Sequence, residues 1–248
     1  RRGHQVTLLE KEPVLTGKLN IACHGEHKAD LRRFRDYLLT QLRKSSVTVH
    51  TGVLADTDVV RDLKPDALVI AVGATPSRIP LPGVDGDNCM QISEFLQSPD
   101  TSLQHYIIIG GGSVGCETAL DLAEKGKDVS IIEMADCLAS ASNDLYRLAL
   151  SEHFARYDNL HTYLNSACQS IDADGVNVLT NGASTHISGD KVLLSLGFRP
   201  DAKQVSSLYG IVPDTYYVGD CERVATVAEA VNNAYFIGAN VFQEQDII

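Results

Sequence analysis

The stretch YIIIGGGSVGCETALDLAEKG at residues 106–126 constrains the fold of this chain more than any other segment. The apolar residues 106–109 predict a buried strand, three glycines follow, and Gly115 lies three residues beyond the last of them. Apolar residues at helical spacing then cover 113–125. A strand, a glycine-rich turn and a helix in this order predict a turn that binds phosphate groups.

The glycine spacing gives this turn a more specific interpretation. Gly110, Gly112 and Gly115 match the pattern G-x-G-x-x-G. In that pattern the first glycine permits a tight turn, the second lets backbone amides approach a pyrophosphate, and the third lets the helix pack closely on the strand. The predicted binding turn comprises Gly110, Gly111, Gly112, Ser113, Val114 and Gly115. A glycine-rich turn without a ligand is the alternative.

An acidic residue follows the next strand at the expected distance. The segment 128–132 predicts a strand, and Glu133 ends it. A carboxylate at this position accepts hydrogen bonds from the adenosine ribose hydroxyls of a dinucleotide and repels a 2′-phosphate. No Lys or Arg lies between 134 and 146, and Asp136 adds a second acid. The sequence therefore predicts NADH rather than NADPH, with an inconsequential surface acid as the alternative.

Several of these features occur twice in the chain. The segment DALVIAVGATP at 66–76 is an apolar strand that breaks at Gly73, and KVLLSLGFRPD breaks at Gly197. An apolar strand ends in Glu10, as another ends in Glu133. The nearly continuous apolar character of 66–76 predicts a strand buried on both faces, as in a parallel sheet. The duplication predicts two related nucleotide-binding units, the second inserted into the first.

Two acidic residues are candidates for a second nucleotide site. Glu10 is expected to bind a second ribose, with an exposed acid in the sequence EKE as the alternative. Asp220 follows Gly219 at the end of an apolar strand, where a carboxylate can bind a polyol hydroxyl or cap the last helix. The strand and turn that would hold this second pyrophosphate are expected to precede residue 1.

The predicted fold class is α/β, with two Rossmann-like dinucleotide-binding domains. The predicted domains are 1–84 with 202–248, and 85–201. A net charge of −11 argues against nucleic acid and anionic membranes as partners, and no apolar run reaches the ~20 residues of a membrane span. Six scattered cysteines without a C-x-x-C pair predict reduced thiols in a cytoplasmic protein without a metal site.

The motifs together resemble those of one family of flavoproteins. LLEKEPVLTGKLNIA is similar to the second strand and flavin loop of flavoproteins with two dinucleotide-binding domains, AVGATP to their A-T-G motif, and VGD to their ribityl-binding motif. GGGSVGCETALDLAEKGKDVSIIEM and VGDCERVATVAEAVNNAYFIGANV resemble the NADH:flavin oxidoreductases. This family includes 2,4-dienoyl-CoA reductase and enoate reductase.

The resemblance implies a glutathione-reductase-like arrangement, in which an NADH domain is inserted into an FAD domain that is incomplete in this chain. It also implies an N-terminal barrel, absent here, in which electrons pass through a four-iron cluster to an FMN that reduces an activated alkene. Glu117 is expected on the nicotinamide side, with an ordinary helix surface as the alternative. The cofactor-binding candidates that the resemblance adds are Lys11, Leu19, Val53 and Ala71. Lys18 stands where the family usually has Gln, and Thr16 where it has Gly.

Three functional hypotheses remain open at this level. The first is an enzyme module that passes hydride from NADH to FAD, with no catalytic side chain because the cofactors carry the chemistry. The second is a non-catalytic fragment that binds ADP or NAD, because FAD is expected to bind weakly or be lost. The third is a stand-alone disulfide reductase or NADH oxidase, for which Cys23 is the candidate redox thiol. A homo-oligomer is compatible with each.

Overall fold

A computed structural model of the chain describes residues 2–25 and 28–242. The chain divides into two compact units, of which the first comprises 1–75 and 198–248 and the second comprises 76–197. These limits lie a few residues before the domain limits expected from the sequence. Both units combine helices with parallel strands, which confirms the predicted α/β class.

The secondary structure alternates between strands and helices along most of the chain. The strands are β1 (Thr7–Glu10), β2 (Thr48–Thr51), β3 (Ala67–Ile70), β4 (Ala74–Pro76), β5 (Cys89–Gln91), β6 (His105–Ile109), β7 (Asp128–Ile132), β8 (Leu160–Tyr163), β9 (Ser166–Asp172), β10 (Gly175–Thr180), β11 (Ala183–Ser188), β12 (Lys191–Leu194), β13 (Phe198–Pro200) and β14 (Asp214–Tyr217). The helices are α1 (Lys18–Ala22), α2 (Ala29–Arg43), α3 (Thr57–Leu63), α4 (Ile92–Gln97), α5 (Ser113–Glu124), α6 (Asp144–Phe154), α7 (Ala202–Leu208) and α8 (Val227–Asn240).

The second unit is built on a five-stranded parallel sheet in the order β5-β12-β6-β7-β8. Alternate residues of β6 point to opposite faces, so Ile108 packs in a cluster with α4, α5 and α6, while Ile107 packs in a cluster with β9, β10 and β11. Both isoleucines are almost fully buried. Burial on both faces explains the uninterrupted apolar sequence of this strand.

The first unit has two separate pairs of parallel strands, β1 with β2 and β3 with β14. Its buried cluster is small and contains Val60, Ile70, Leu208, Val212 and Cys221. The prediction that the strand within 66–76 is buried on both faces is wrong. Within the described residues β3 has a neighbour on one edge only, and Val69 is 46% exposed.

Capping groups fix the starts of several helices. Asp56 and Asn143 accept hydrogen bonds from backbone amides in the first turns of α3 and α6, and Thr226 forms a capping box with Glu229 at the start of α8. Helices predicted at 29–44, 113–125 and 144–157 are confirmed as α2, α5 and α6, each slightly shorter than expected. Every helix in the described part of the chain falls short of the length and hydrophobicity needed to span a bilayer.

Candidate dinucleotide-binding site

The turn between β6 and α5 lies at the carboxyl end of the parallel sheet of the second unit. Parallel sheets bind nucleotides at this edge, because the turns from strand to helix gather there. Gly110 has φ of 106°, a left-handed value that L-residues with side chains rarely adopt. The sequence pattern therefore produces the strand, turn and helix that it predicts.

Two of the three motif glycines are required by the packing of the protein itself. A Cβ atom on Gly110 would collide with the carbonyl oxygen of Ser195, in the turn after β12. A Cβ atom on Gly115 would collide with the carbonyl oxygen of Gly110. These two glycines hold helix α5 close to the sheet, whatever ligand is bound.

At position 112, in contrast, the packing of the protein does not require glycine. Its φ of −68° and ψ of 175° are accessible to any residue. A Cβ atom built on Gly112 would have no other atom within 4 Å, so it would point into open space. The pattern thus places a residue without a side chain where the folded chain alone would tolerate one, and the open space adjoins the start of α5.

The start of α5 presents amide groups to this space. Gly112 is the N-cap and supplies no side-chain hydrogen bond, so the first turn is not capped by a side chain. The first backbone bond of the helix runs from the amide of Cys116 to the oxygen of Gly112. The amides of Ser113, Val114 and Gly115 have no acceptor among the described residues. Uncapped amides at a helix N-terminus bind anions, and the helix dipole adds to the attraction.

Glu133 lies directly beside the turn. One carboxylate oxygen accepts a hydrogen bond from the amide of Gly111 at 2.6 Å, and the other accepts one from the amide of Ala135 at 2.8 Å. These bonds fix the direction of the carboxylate. A carboxylate has about four acceptor positions, so both oxygens retain capacity for further donors such as ribose hydroxyls.

The loop after β7 supports the turn from the other side. The amide of Ala139 donates to the oxygen of Gly111 at 2.7 Å, and a Cβ atom on Gly111 would lie 2.5 Å from Leu138. The amide of Ser195 donates to the oxygen of Ile109 at 2.8 Å. Sequence reasoning missed Ser195 and Ala139, because only the fold brings these segments to the turn.

Glu117 and Tyr146 form a contact that the sequence did not predict. The phenol of Tyr146, on α6, donates to Glu117 Oε1 at 2.9 Å. Ser113 and Ser142 oxygens also lie 2.9 Å apart, four residues earlier on each side. The side of α5 that carries Glu117 therefore faces the start of α6. Burial and the charge of Glu117 raise the pKa of Tyr146, so this phenol keeps its proton.

A cation that contacts this loop, Arg147, lies one position beyond the segment 134–146. Arg147 Nη1 lies 3.8 Å from Cys137 Sγ, and Arg147 Nη2 lies 3.3 Å from Asp144 Oδ1. The guanidinium is thus already paired with a carboxylate of its own helix. The segment 134–146 contains no Lys or Arg, and Arg147, directly after it, is a cation whose charge Asp144 compensates.

In the first unit, the carboxyl end of β1 carries three of the candidates. Glu10 is half-buried and accepts a hydrogen bond from the amide of Glu12 at 2.9 Å. The amide of Val53 donates to the backbone oxygen of Glu10, since β2 runs parallel to β1. Lys11 is exposed, and its amine lies 4.0 Å from Glu12. Glu10 and Val53 therefore share one strand end.

The carboxyl ends of β3 and β14 bring the other candidates of the first unit together. Tyr217 pairs with Ile70, so Ala71 and Gly73 follow one strand where Gly219 follows the other. Gly73 and Gly219 have φ of 72° and 70°. A Cβ atom on Gly73 would meet no atom within 4 Å. Gly73 therefore leaves room above the end of β3, whereas a Cβ atom on Gly219 would lie 3.6 Å from Ala230.

Asp220 is held by a lysine at the start of α1. Lys18 Nζ lies 3.1 Å from Asp220 Oδ2 and 4.1 Å from the centre of the Phe198 ring. The amide of Ala225 donates to Asp220 Oδ1 at 3.2 Å. The alternative in which Asp220 caps the last helix is wrong, because Thr226 is the N-cap of α8. Leu19 follows Lys18 on α1 and is half-buried.

Burial makes the thiols of Cys23 and Cys116 poorly suited to redox exchange. Cys23 is 3% exposed, and burial raises its pKa. Burial also raises the pKa of Cys116, beneath the turn, to about 12. All six cysteines are free. Because the thiolate is the reactive form, the Cys23 and Cys116 thiols are chemically quiet near neutral pH.

Known proteins are similar to this chain in sequence and in fold. The family described as "Pyridine nucleotide-disulphide oxidoreductase" matches residues 1–235. Bilirubin reductase of Mediterraneibacter gnavus is 32% identical over 241 residues, covering 97% of this chain and 37% of that protein. NADH oxidase of Thermoanaerobacter brockii is 31% identical over 243 residues, covering 95% of this chain and 37% of that protein.

Solved structures agree with these sequence matches. A 2-naphthoyl-CoA reductase complex superposes with a TM-score of 0.89 and 27% sequence identity, covering 98% of this chain and 37% of that one. These matches confirm the resemblance to enoate-reductase-like flavoproteins that the motifs predict. The chain spans 37% of the length of each of these three proteins.

Proposed function

Since the chain belongs to the pyridine nucleotide-disulphide oxidoreductase family, we propose that it is the part of a flavin oxidoreductase that passes hydride from NADH to FAD. When bound, nicotinamide supplies the hydride and flavin accepts it, so the protein contributes binding and orientation. In this proposal the second unit, at 76–197, binds NADH, and the first unit contributes to an FAD site.

The observation that carries the proposal is the open space above Gly112. The space, the uncapped amides of α5 and the oriented carboxylate of Glu133 lie side by side, as a pyrophosphate and an adenosine ribose require. Glycine at 112 is otherwise unexplained, because nothing in the described chain would contact a side chain there. The residues of the turn thus fit a dinucleotide.

The first unit fits FAD less completely. Glu10, Gly73 and Gly219 stand at strand ends, where the ribose and the flavin are bound in this proposal. Asp220 is oriented by Lys18 and retains acceptor capacity for a ribityl hydroxyl. The described residues of this unit, however, include no strand–glycine turn–helix comparable to that of the second unit. The phosphate groups of FAD therefore need a cradle from elsewhere.

In the whole protein, the electrons are proposed to continue to an FMN and a four-iron cluster in a barrel domain, and then to an activated alkene. The names of two relatives, bilirubin reductase and 2-naphthoyl-CoA reductase, support reduction of an unsaturated substrate. The relatives are longer than this chain, which supports a further domain in cis. The third hypothesis, a stand-alone disulfide reductase, is not favoured because the Cys23 thiol is buried.

The second hypothesis, a fragment that binds nucleotide without turnover, rests on the missing cradle for FAD. Flavin content separates it from the main proposal. A yellow purified chain whose flavin absorbance bleaches on addition of NADH supports the hydride-transfer module. A colourless chain that NADH or ADP stabilises supports the nucleotide-binding fragment.

Cofactor choice tests the site itself. We expect the chain to bind NADH at least tenfold more tightly than NADPH in a calorimetric titration, because Glu133 repels a 2′-phosphate. Glu133→Arg should reverse or abolish this preference by attracting the phosphate. Glu10→Arg is the matched control at the corresponding strand end of the first unit and should leave both affinities unchanged. Equal affinities in the unaltered chain would contradict the assignment of Glu133.

A further inference from the structure

The 76–197 unit contains a cavity whose lining includes none of the residues of the 110–115 turn. It has a volume of about 430 Å³ and lies beside the edge strand β5, where β5 and β12 end. The connecting segment at 78–85 forms its other wall. Small-molecule sites usually have volumes of roughly 300–1,000 Å³. The cavity, which we call the edge pocket, is thus large enough for a small ligand.

Gln91 is the feature of the edge pocket that points to a ligand. The residue is only 8% exposed, yet its side-chain amide makes no hydrogen bond within the described residues. No fully buried side-chain nitrogen or oxygen of the described residues lacks a partner, so the amide of Gln91 remains accessible, and Gln91 lines the pocket.

The remaining lining of the edge pocket combines apolar and charged residues. Val84, Met90 and Leu194 are among the apolar ones. The polar lining residues besides Gln91 are Arg78, Asp85 and Glu94. All three are exposed and make no ion pair or side-chain hydrogen bond within the described residues. Such a mixed lining suits a ligand that combines a flat ring with sugar hydroxyls and a phosphate.

The chemistry of the amide narrows the class of ring. A glutamine side chain offers a donor and an acceptor side by side. The N6 amino group of adenine donates to the amide oxygen and N7 accepts from the amide nitrogen, so this pair forms two hydrogen bonds at once. Carboxylates accept hydrogen bonds from ribose hydroxyls, and a guanidinium matches the geometry of a phosphate.

We propose that the edge pocket binds an adenine nucleoside or its 5′-monophosphate, independently of the dinucleotide at the 110–115 turn. Gln91 reads the adenine edge, and the ring lies on Val84, Met90 and Leu194. Asp85 and Glu94 accept from the ribose, and Arg78 contacts the phosphate. This site is additional to the proposed NADH site and does not depend on it.

Titration of adenosine in the presence of saturating NADH tests the proposal, because NADH then occupies the turn. Calorimetry should show one further adenosine site, with guanosine bound at least tenfold more weakly because its edge presents two acceptors. Gln91→Leu should weaken adenosine binding about tenfold or more while leaving NADH affinity unchanged, which also shows that the variant folds. Glu133→Ala should weaken NADH and leave this adenosine site intact.

Arg78→Ala provides a second measurement on an exposed residue that is not needed for folding. It should remove any preference for adenosine monophosphate over adenosine and leave adenosine affinity unchanged. Absence of adenosine binding at millimolar concentration overturns the proposal. Adenosine binding that NADH displaces, or that Glu133→Ala removes and Gln91→Leu does not, also overturns it, because the ligand would then occupy the turn.

Discussion

At the scale of single residues, the glycines of the 110–115 turn serve two different physical purposes. Gly110 needs a left-handed φ and a close approach to Ser195, whereas Gly112 needs neither. The same substitution should therefore have opposite consequences at the two positions. Substitution of Gly110 should lower the stability of the fold, whereas substitution of Gly112 should weaken ligand binding.

Gly112→Ala should weaken NADH binding about tenfold or more without lowering the melting temperature. The added methyl group enters the space reserved for pyrophosphate and meets no protein atom. Fluorescence titration of NADH and a thermal unfolding scan measure the two effects. Gly110→Ala is the contrasting variant and should cost at least ~1–3 kcal/mol of stability, because of its φ of 106° and the collision with Ser195. Unchanged NADH affinity in Gly112→Ala would rule out a pyrophosphate at this position.

At the scale of secondary-structure elements, a cluster of charged side chains joins three strands at the amino end of the second unit's sheet. His105 starts β6, Asp128 starts β7, and Asp190 directly precedes β12. The His105 ring lies 3.4 Å from Asp128 and 3.3 Å from Asp190. Asp190 also accepts the backbone amides of Gln104 and His105. This carboxylate therefore ties β6 to the strand beside it.

Asp190→Asn should lower the stability of the protein at neutral pH, and the difference should vanish in acid. The backbone amide of His105, then that of Gln104 and the His105 ring, hold the pKa of Asp190 below its ordinary value. A carboxyl with a lowered folded pKa stabilises the fold above its unfolded pKa of ~3.9, and this stabilisation is lost as the pH falls through the lowered value. Urea unfolding of both proteins at pH 7 and near pH 3 measures the difference in their free energies of unfolding.

The loss at pH 7 should be about 1 kcal/mol or less, since Asp190 is 43% exposed and water screens its charge. Asp128→Asn is the control, because the Asp128 side chain pairs with the His105 ring but accepts no backbone amide from the residues that the structure describes. It should cost less than Asp190→Asn. A difference between Asp190→Asn and the unaltered chain that persists unchanged at pH 3 would contradict the role given to the charge.

What sequence reveals about these elements depends on how local the interactions are. The turn, its helix and Glu133 lie within 30 residues, so strand burial, glycine spacing and helical periodicity predicted them together. The link between Lys18 and Asp220 joins residues 202 positions apart, and Tyr146 reaches Glu117 only because α5 packs on α6. No local pattern encodes such contacts. The exposure of β3 was mispredicted for a related reason, because an apolar strand does not reveal how many neighbours it has.

At the scale of the whole molecule, the two units differ in how much core they contain. The second unit has two buried clusters, one on each face of its five-stranded sheet. In the first unit the described residues form one cluster of five buried residues, and no residue of α8 is buried. Since buried apolar area is the main favourable term in folding, the second unit should be the more stable one.

Unfolding in urea should therefore proceed in two steps, with the first unit losing its amide protection at lower urea than the second. A ligand bound only to the native turn stabilises its unit by RT ln(1 + [L]/Kd), or ~2.7 kcal/mol at one hundred times Kd. NADH should accordingly shift the second step alone to higher urea. Hydrogen exchange followed by mass spectrometry separates the units, because peptides from 106–139 report on one and peptides from 48–70 on the other.

The Glu133→Arg variant provides the control for this experiment. Its second step should respond to NADPH instead of NADH, while its first step stays where it was. A single cooperative transition would show that the units do not unfold independently. Protection of 48–70 by NADH, with none at 106–139, would place the dinucleotide in the first unit. That result would contradict the assignment of NADH to the second unit. The open space above Gly112 would then have no ligand to explain it.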